Sequence, residues 1–175
     1  MFALPPEAGE PDFVTLFEYW RRQAPPGWLP GRQHIDPLDM PRALLPRIVL
    51  FDMERTIDGA LFRVRLAGTR VVELLGRDPR GDLLHQLGLA EAGNLASALK
   101  AAVTLAAPVV YSATLALPNK PPVWARRLVL PLARDGAAID MVLGIYVLRE
   151  AALAGPAGLV IFDRLQPQRR LTAAG

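Results

Sequence analysis

The segment Ile139–Arg149, IDMVLGIYVLR, sends alternate side chains to opposite sides as a strand does, and both sides are apolar. Ile139, Met141, Leu143, Ile145 and Val147 form one row, with Val142, Tyr146 and Leu148 in the other. A strand with one solvated face carries polar residues at every second position. A sheet containing this strand must therefore be covered on two sides. Arg47–Glu54 makes the same demand, because Ile48, Val49, Leu50, Phe51 and Met53 leave neither face polar.

The remaining elements follow from periodicity and punctuation. Asp12 is a candidate N-cap, and Phe13, Leu16, Phe17 and Trp20 recur at helical spacing, ahead of Pro25-Pro26-Gly27. Asp36, Pro37 and Asp39 form the start pattern of a short helix that Pro46 ends. That capping pattern explains the two carboxylates without acid/base chemistry. A second strand, Ala60–Gly68, is joined to the first by a turn at Asp58-Gly59. It places Phe62, Val64 and Leu66 on one face and Arg63 and Arg65 on the other.

Thr69 then caps Arg70–Leu75, Gly76 suits the left-handed closing position, and Asp82 opens a turn through Leu83, Leu84 and Leu87. Leu95, Leu99 and Val103 mark a long Ala-rich helix from about residue 90 to 106. Three strands joined by hairpin-like turns follow, Val109–Leu117, Val123–Ala133 and Ile139–Arg149. Leu159–Phe162 is a candidate short strand or docking segment, and Gln166–Gly175 reads as a tail. The division expected is a 1–31 extension with an amphipathic helix, a 32–150 domain and a 151–175 C-terminal segment.

Composition narrows the function classes. The charge is +3, and 18 of the 20 basic residues are Arg, scattered among acids rather than gathered on a face. Nucleic-acid binding is therefore not expected. With no Cys, disulfides, thiol catalysis and Cys-based zinc sites are absent, which suits a reducing cytoplasm. The N-terminus lacks a basic region and a long apolar core, so no signal peptide is expected. Ala101–Pro118 runs 18 residues without a charge. Its pattern changes at Pro108 from helical to alternating, so it reads as a helix leading into a strand, with no membrane insertion.

The order of a helix, two strands, short helices, a longer helix and three antiparallel strands resembles a PAS domain. More closely, the chain is similar to a PAS-like family known largely from proteobacteria. The residues that carry the resemblance are Tyr19-Trp20, Ile35-Asp36-Pro37, Pro46, the strand end Phe62–Thr69, and Gly76-Arg77-Asp78 with Gly81. It covers roughly residues 12–149. It implies an α+β fold, a five-stranded antiparallel sheet with helices on one face around a possible ligand pocket. The outer face would pack on the N-terminal helix, in its own chain or across a homodimer, through Phe13, Leu16, Phe17 and Trp20.

The function implied is a cytoplasmic sensory or regulatory module, without an attached output domain, that takes a small-molecule ligand or a signalling protein partner. The alternatives are an adaptor or dimerisation module with no ligand and, more remotely, a small enzyme. Catalytic residues are not expected: Ser97 and Ser112 are the only serines, neither has an informatively spaced histidine, and Gly76–Gly81 lacks the ending of a phosphate loop. Asp52 and Glu54 share a strand face but read as a solvated strand end.

Candidate ligand anchors are Arg65, Thr69, Arg70, Tyr111 and Trp124; the alternative for Arg63 and Arg65 is a solvated or partner-facing stripe. Cofactor identity stays open. Because PAS domains that hold haem use a histidine from the helical side, His85 is the one candidate axial ligand, against a solvent-facing or hydrogen-bonded role.

Overall fold

The computed structural model describes residues 4, 8–89, 92–116, 121–150, 158–161 and 169–171. Its elements in chain order are α1 (Pro11–Arg22), β1 (Ile48–Thr56), β2 (Gly59–Ala67), α2 (Thr69–Leu75), α3 (Ala92–Leu105), β3 (Val109–Leu115), β4 (Val123–Ala133) and β5 (Ile139–Glu150). Two short strands, β6 (Gly158–Ile161) and β7 (Arg169–Leu171), complete them. The sheet order is β2-β1-β5-β4-β3-β6-β7, antiparallel at every pairing. The expected five-stranded PAS sheet is therefore present as β2-β1-β5-β4-β3. β6 and β7 lengthen it at the β3 edge; β6 covers 159–161 of the segment expected as a short strand or docking segment, whose residue 162 lies outside the described residues, and β7 lies in the stretch that reads as a tail.

The sheet separates two cores. On the inner face Phe51, Phe62, Val64, Val129 and Val142 pack with Leu95, Ala98, Leu99 and Ala102 of α3. The alanines let the helix backbone approach the strands closely, which longer side chains at those positions would prevent. On the outer face Leu50, Leu128, Leu130, Leu143 and Ile145 pack with Phe13, Leu16, Phe17 and Trp20 of α1. These four α1 side chains are at most 2% exposed. Burying each contributes roughly 1.5–3 kcal/mol, so the requirement for cover on both faces is met within a single chain.

Polar contacts fix how α1 lies. Trp20 Nε1 donates to the Pro131 carbonyl at 3.0 Å. The Tyr19 hydroxyl donates to the Asp36 carbonyl and accepts from the Asp36 amide, both at 2.9 Å. Glu10, itself buried, joins Arg126 of β4 at 3.0 Å and Arg149 of β5 at 2.7 Å. Burial pushes the Glu10 carboxyl up, but the hydrogen bonds and charges of the two guanidiniums outweigh it and hold it below the usual carboxylate range.

Several local expectations are corrected. Pro11 takes the first helical position of α1 after an extended Glu10, so Asp12 lies inside the helix and pairs with Arg47 at 2.6 Å instead of capping. Residues 37–39 form a turn rather than a helix: Asp36 Oδ1 accepts the Leu38 amide at 2.8 Å. Pro46 belongs to a single helical turn, Leu45–Arg47, that leads into β1. Gly68, rather than Thr69, occupies the N-cap of α2, whereas Gly76 closes that helix at φ 71° in the left-handed region.

A bulge corrects the reading of β2. Leu50 faces Leu66 while the next residue, Phe51, faces Val64, which leaves Arg65 as the extra residue. Leu66 thereby leaves the face it was expected to share with Phe62 and Val64, and it is 38% exposed. The open side of β2 is covered by the following loop, since the Val64 amide donates to the Asp82 carbonyl and the Gly81 amide donates to the Val64 carbonyl.

Candidate functional site

Between the inner face and the helices lies a cavity of about 60 Å³, small beside the ~300–1,000 Å³ of pockets that enclose a drug-sized ligand. Its origin is visible in β5. Gly144 falls between Val142 and Tyr146 on the inward side and pairs with Val49 and Val129. Glycine in a central strand weakens it and leaves a position without a side chain. Here the empty position opens the space over the strand. A Cβ built on Gly144 would meet only the Leu128 and Val49 carbonyls, at 3.7 Å, so the position is not constrained by steric need.

The wall is otherwise hydrocarbon, with Phe51, Val64, Val71, Leu95 and Leu99 among its residues. Arg127 and Tyr146 are the only described lining residues with polar side-chain atoms, and they leave the wall itself almost wholly apolar. They are cross-strand partners on β4 and β5. The Arg127 guanidinium lies over the Tyr111 ring at 5.9 Å. Burial pushes the Tyr146 phenol up to about 12. Tyr146 also forms part of a neighbouring surface cleft with Ala43, Pro46, Arg47, Arg70, Val147 and Leu148. It is thus the one described residue that lines both the apolar cavity and the basic cleft.

The anchors named from sequence are not gathered at one place. Tyr111 is on the inner face, buried and stacked with Arg127. Trp124 belongs to the other side of β4, where Arg126 lies between its ring at 5.6 Å and that of Phe13 at 5.7 Å. Arg65 is bound to Asp52 at 2.9 Å and borders, with Thr69, a shallow groove at the β2 edge. Arg70 alone of the five borders the cleft beside Tyr146, paired with Glu73 at 3.1 Å. Arg63 pairs with Glu54, so the two acids at the strand end have basic partners across β1 and β2.

His85 is exposed on the single turn Leu84–Leu87, and the cavity wall takes Leu87 from that turn rather than the histidine. The placement does not fit an axial ligand to a group held in the cavity. His34 Nδ1 accepts the Gly31 amide at 3.0 Å. Among the described residues no group of three or more His, Asp or Glu is arranged to hold a metal ion.

Phe13, Leu16, Phe17 and Trp20 are buried against their own sheet, so a dimer seam on α1 would have to use its opposite side, where Val14 is 41% exposed. The residues that sequence reasoning missed are Gly144, Tyr146, Arg127 and Arg47. A signal existed for two of them: Gly144 interrupts an unbroken apolar strand, and Arg127 falls on the same face of β4 as Ala125 and Val129.

Among the described residues no helix is long and apolar enough to cross a membrane, and the uncharged stretch divides into the end of α3 and the whole of β3. No curated protein matches the chain. A family model described as PAS domain matches residues 10–147, which takes in α1, the five-stranded sheet and the cavity. The chain belongs to the PAS domain family, whose members are generally sensory or regulatory modules.

Proposed function

We propose that this PAS domain is a non-catalytic, ligand-responsive regulatory module that takes a small, largely apolar molecule into the cavity above Gly144. The observation carrying this reading is the glycine itself. An ordinary core would fill a central strand position with a branched side chain, whereas this one keeps an apolar chamber bordered at Tyr146 by a basic cleft. Binding there would bias which conformations α2 and α3 adopt, and a signalling protein would read the altered surface.

Native mass spectrometry of freshly purified protein, with its absorbance spectrum, tests the reading. An adduct that is released on denaturation and is absent from Gly144→Leu supports it. A bare chain mass, together with unchanged melting behaviour of wild type across a small-molecule library, sinks it.

A second reading, an adaptor without a ligand, is favoured by a different observation. Leu38 is 89% exposed and Leu66 38% exposed, and they border a groove with Arg42, Arg65 and Arg80. Exposed leucines among arginines suit an acidic partner segment with apolar residues. Leu38→Asp should abolish partner binding under this reading and leave the cavity's ligand unaffected under the first.

A further inference from the structure

The surroundings of Tyr146 narrow the chemistry of the ligand. Three arginines from three separate elements converge on this one side chain. Arg47 comes from the turn before β1 and Arg70 from α2, both lining the cleft with Tyr146; Arg127 comes from β4 and lines the cavity with it. All three charges act on the ionisation of the phenol, with Glu73 opposing them. The cavity beyond is hydrocarbon. A molecule lying across Tyr146 would thus have positive charge on its cleft side and apolar surface on its cavity side.

We infer that the ligand is a small organic anion, with a short apolar body in the cavity and a carboxylate or comparable anionic group beside Tyr146 within reach of Arg70, in the field of Arg47 and Arg127. The inference rests on the receptor reading above. Arg70 is the cation best able to turn to a ligand, because its partner Glu73 lies one helical turn away and the two side chains are 69% and 61% exposed. Such a pair holds its geometry weakly. Arg47 is tied more firmly, to Asp12 across 35 residues, with both side chains at least two-thirds covered. It contributes field rather than a mobile contact. A guanidinium presents paired donors that match a carboxylate, and an amide of the same shape has no charge to offer it. The 60 Å³ volume selects short bodies such as a chain of a few carbons.

The test uses the full chain and two matched pairs of probes, butyrate against butyramide and propionate against propionamide, followed by ligand-observed NMR and calorimetric titration. Each acid should bind roughly tenfold or more tightly than its amide, the scale of a hydrogen bond to a charged group. Arg70→Gln should remove most of that preference by weakening the acids far more than the amides. If acids and amides bind alike, and both are lost in Gly144→Leu, the cavity is a receptor site and the anion inference is overturned. If none of the four binds and native spectra show the bare mass, both readings fall. Gly144→Ala, whose Cβ makes only ordinary contacts, provides a milder filling variant should the leucine impair folding.

Discussion

Trp20 donates its indole N–H to the carbonyl of Pro131, 111 residues further along the chain. The contact occurs just past the last β3 partner of β4, where Val109 faces Val129. Beyond that point the same side of β4 is served by α1 and its loop, because Ala133 donates its amide to the Pro30 carbonyl at 2.9 Å. Proline is tolerated in this inner strand because no neighbouring strand asks for its missing N–H. Trp20→Ala should cost about 3–5 kcal/mol, as for other buried tryptophans. Trp20→Phe, which keeps most of the ring but leaves a buried carbonyl short of a donor, should cost about 1–3 kcal/mol. Urea unfolding followed by circular dichroism measures both. Deleting residues 1–31 removes α1 and Leu29 from the outer core, and the product should aggregate; a stable, soluble monomer would contradict the packing described.

Glu10 makes stability dependent on acid. Its folded pKa is lowered relative to about 4.5, so its contribution is complete above that value and is lost as pH falls through the folded pKa. Glu10→Gln should cost about 1–3 kcal/mol near neutrality, chiefly by removing the carboxylate from mostly buried Arg126. The gap between wild type and variant should close below pH 4.5, which a series of denaturant titrations at descending pH would reveal.

Tyr146 predicts the opposite limb. Its folded pKa is raised from 10 to about 12 by burial, so its contribution is complete below pH 10 and is lost as pH rises through 12. Tyr19, also raised by burial, acts in the same direction. Tyr146→Phe should therefore lose less stability than wild type across the alkaline window. Ultraviolet titration of the folded protein should show one fewer late-ionising phenol in the variant.

Gly68 joins β2 to α2 at a place with no room for a side chain. A Cβ there would fall 2.3 Å from the Leu45 carbonyl oxygen and 2.4 Å from that of Pro46, and backbone cannot swing aside as a flexible side chain does. Its own amide is also held by the Ile48 carbonyl at 2.8 Å. Gly68→Ala should cost about 1–3 kcal/mol, the range for forced overpacking. It should also move Arg70 away from Arg47, so any charge preference in ligand binding should weaken even at temperatures where the variant remains folded.

Arg65 provides a contrast. Its pair with Asp52 is exposed, at 53% and 29%, and Arg65→Ala should change stability by less than about 1 kcal/mol. Because it lies at the β2 edge rather than at Tyr146, the same variant should leave cavity binding unchanged in a thermal-shift assay with butyrate.

The strands were legible because alternation is local. Val123–Ala133 is recovered to the residue, and Ile139–Arg149 differs by one. The errors arose where one local pattern serves two structures. A carboxylate accepting an amide two residues on looks the same in sequence whether it starts a helix or closes a turn, and Asp36 does the latter. Asp12 had the composition of a cap, but its partner Arg47 is distant in the chain. Leu66 changed sides because of a single bulged residue. The candidate site was harder still: placing Trp124 and Tyr111 on opposite faces requires the β3–β4 register, in which Thr114 meets Trp124 and Tyr111 meets Arg127. Only Arg70 could be placed near the cleft from its neighbours in sequence.

In β5, Ile145 packs in the core under α1 while the next residue, Tyr146, borders the cavity. The sheet is thus a diaphragm one backbone thick. Close-packed surroundings on both sides leave little slack to absorb a shift of that strand. The indole of Trp20 is hydrogen-bonded to neighbouring β4 and sealed from water, so with Trp28 and Trp124 replaced by Phe its emission should shift whenever that strand is displaced from the cavity side.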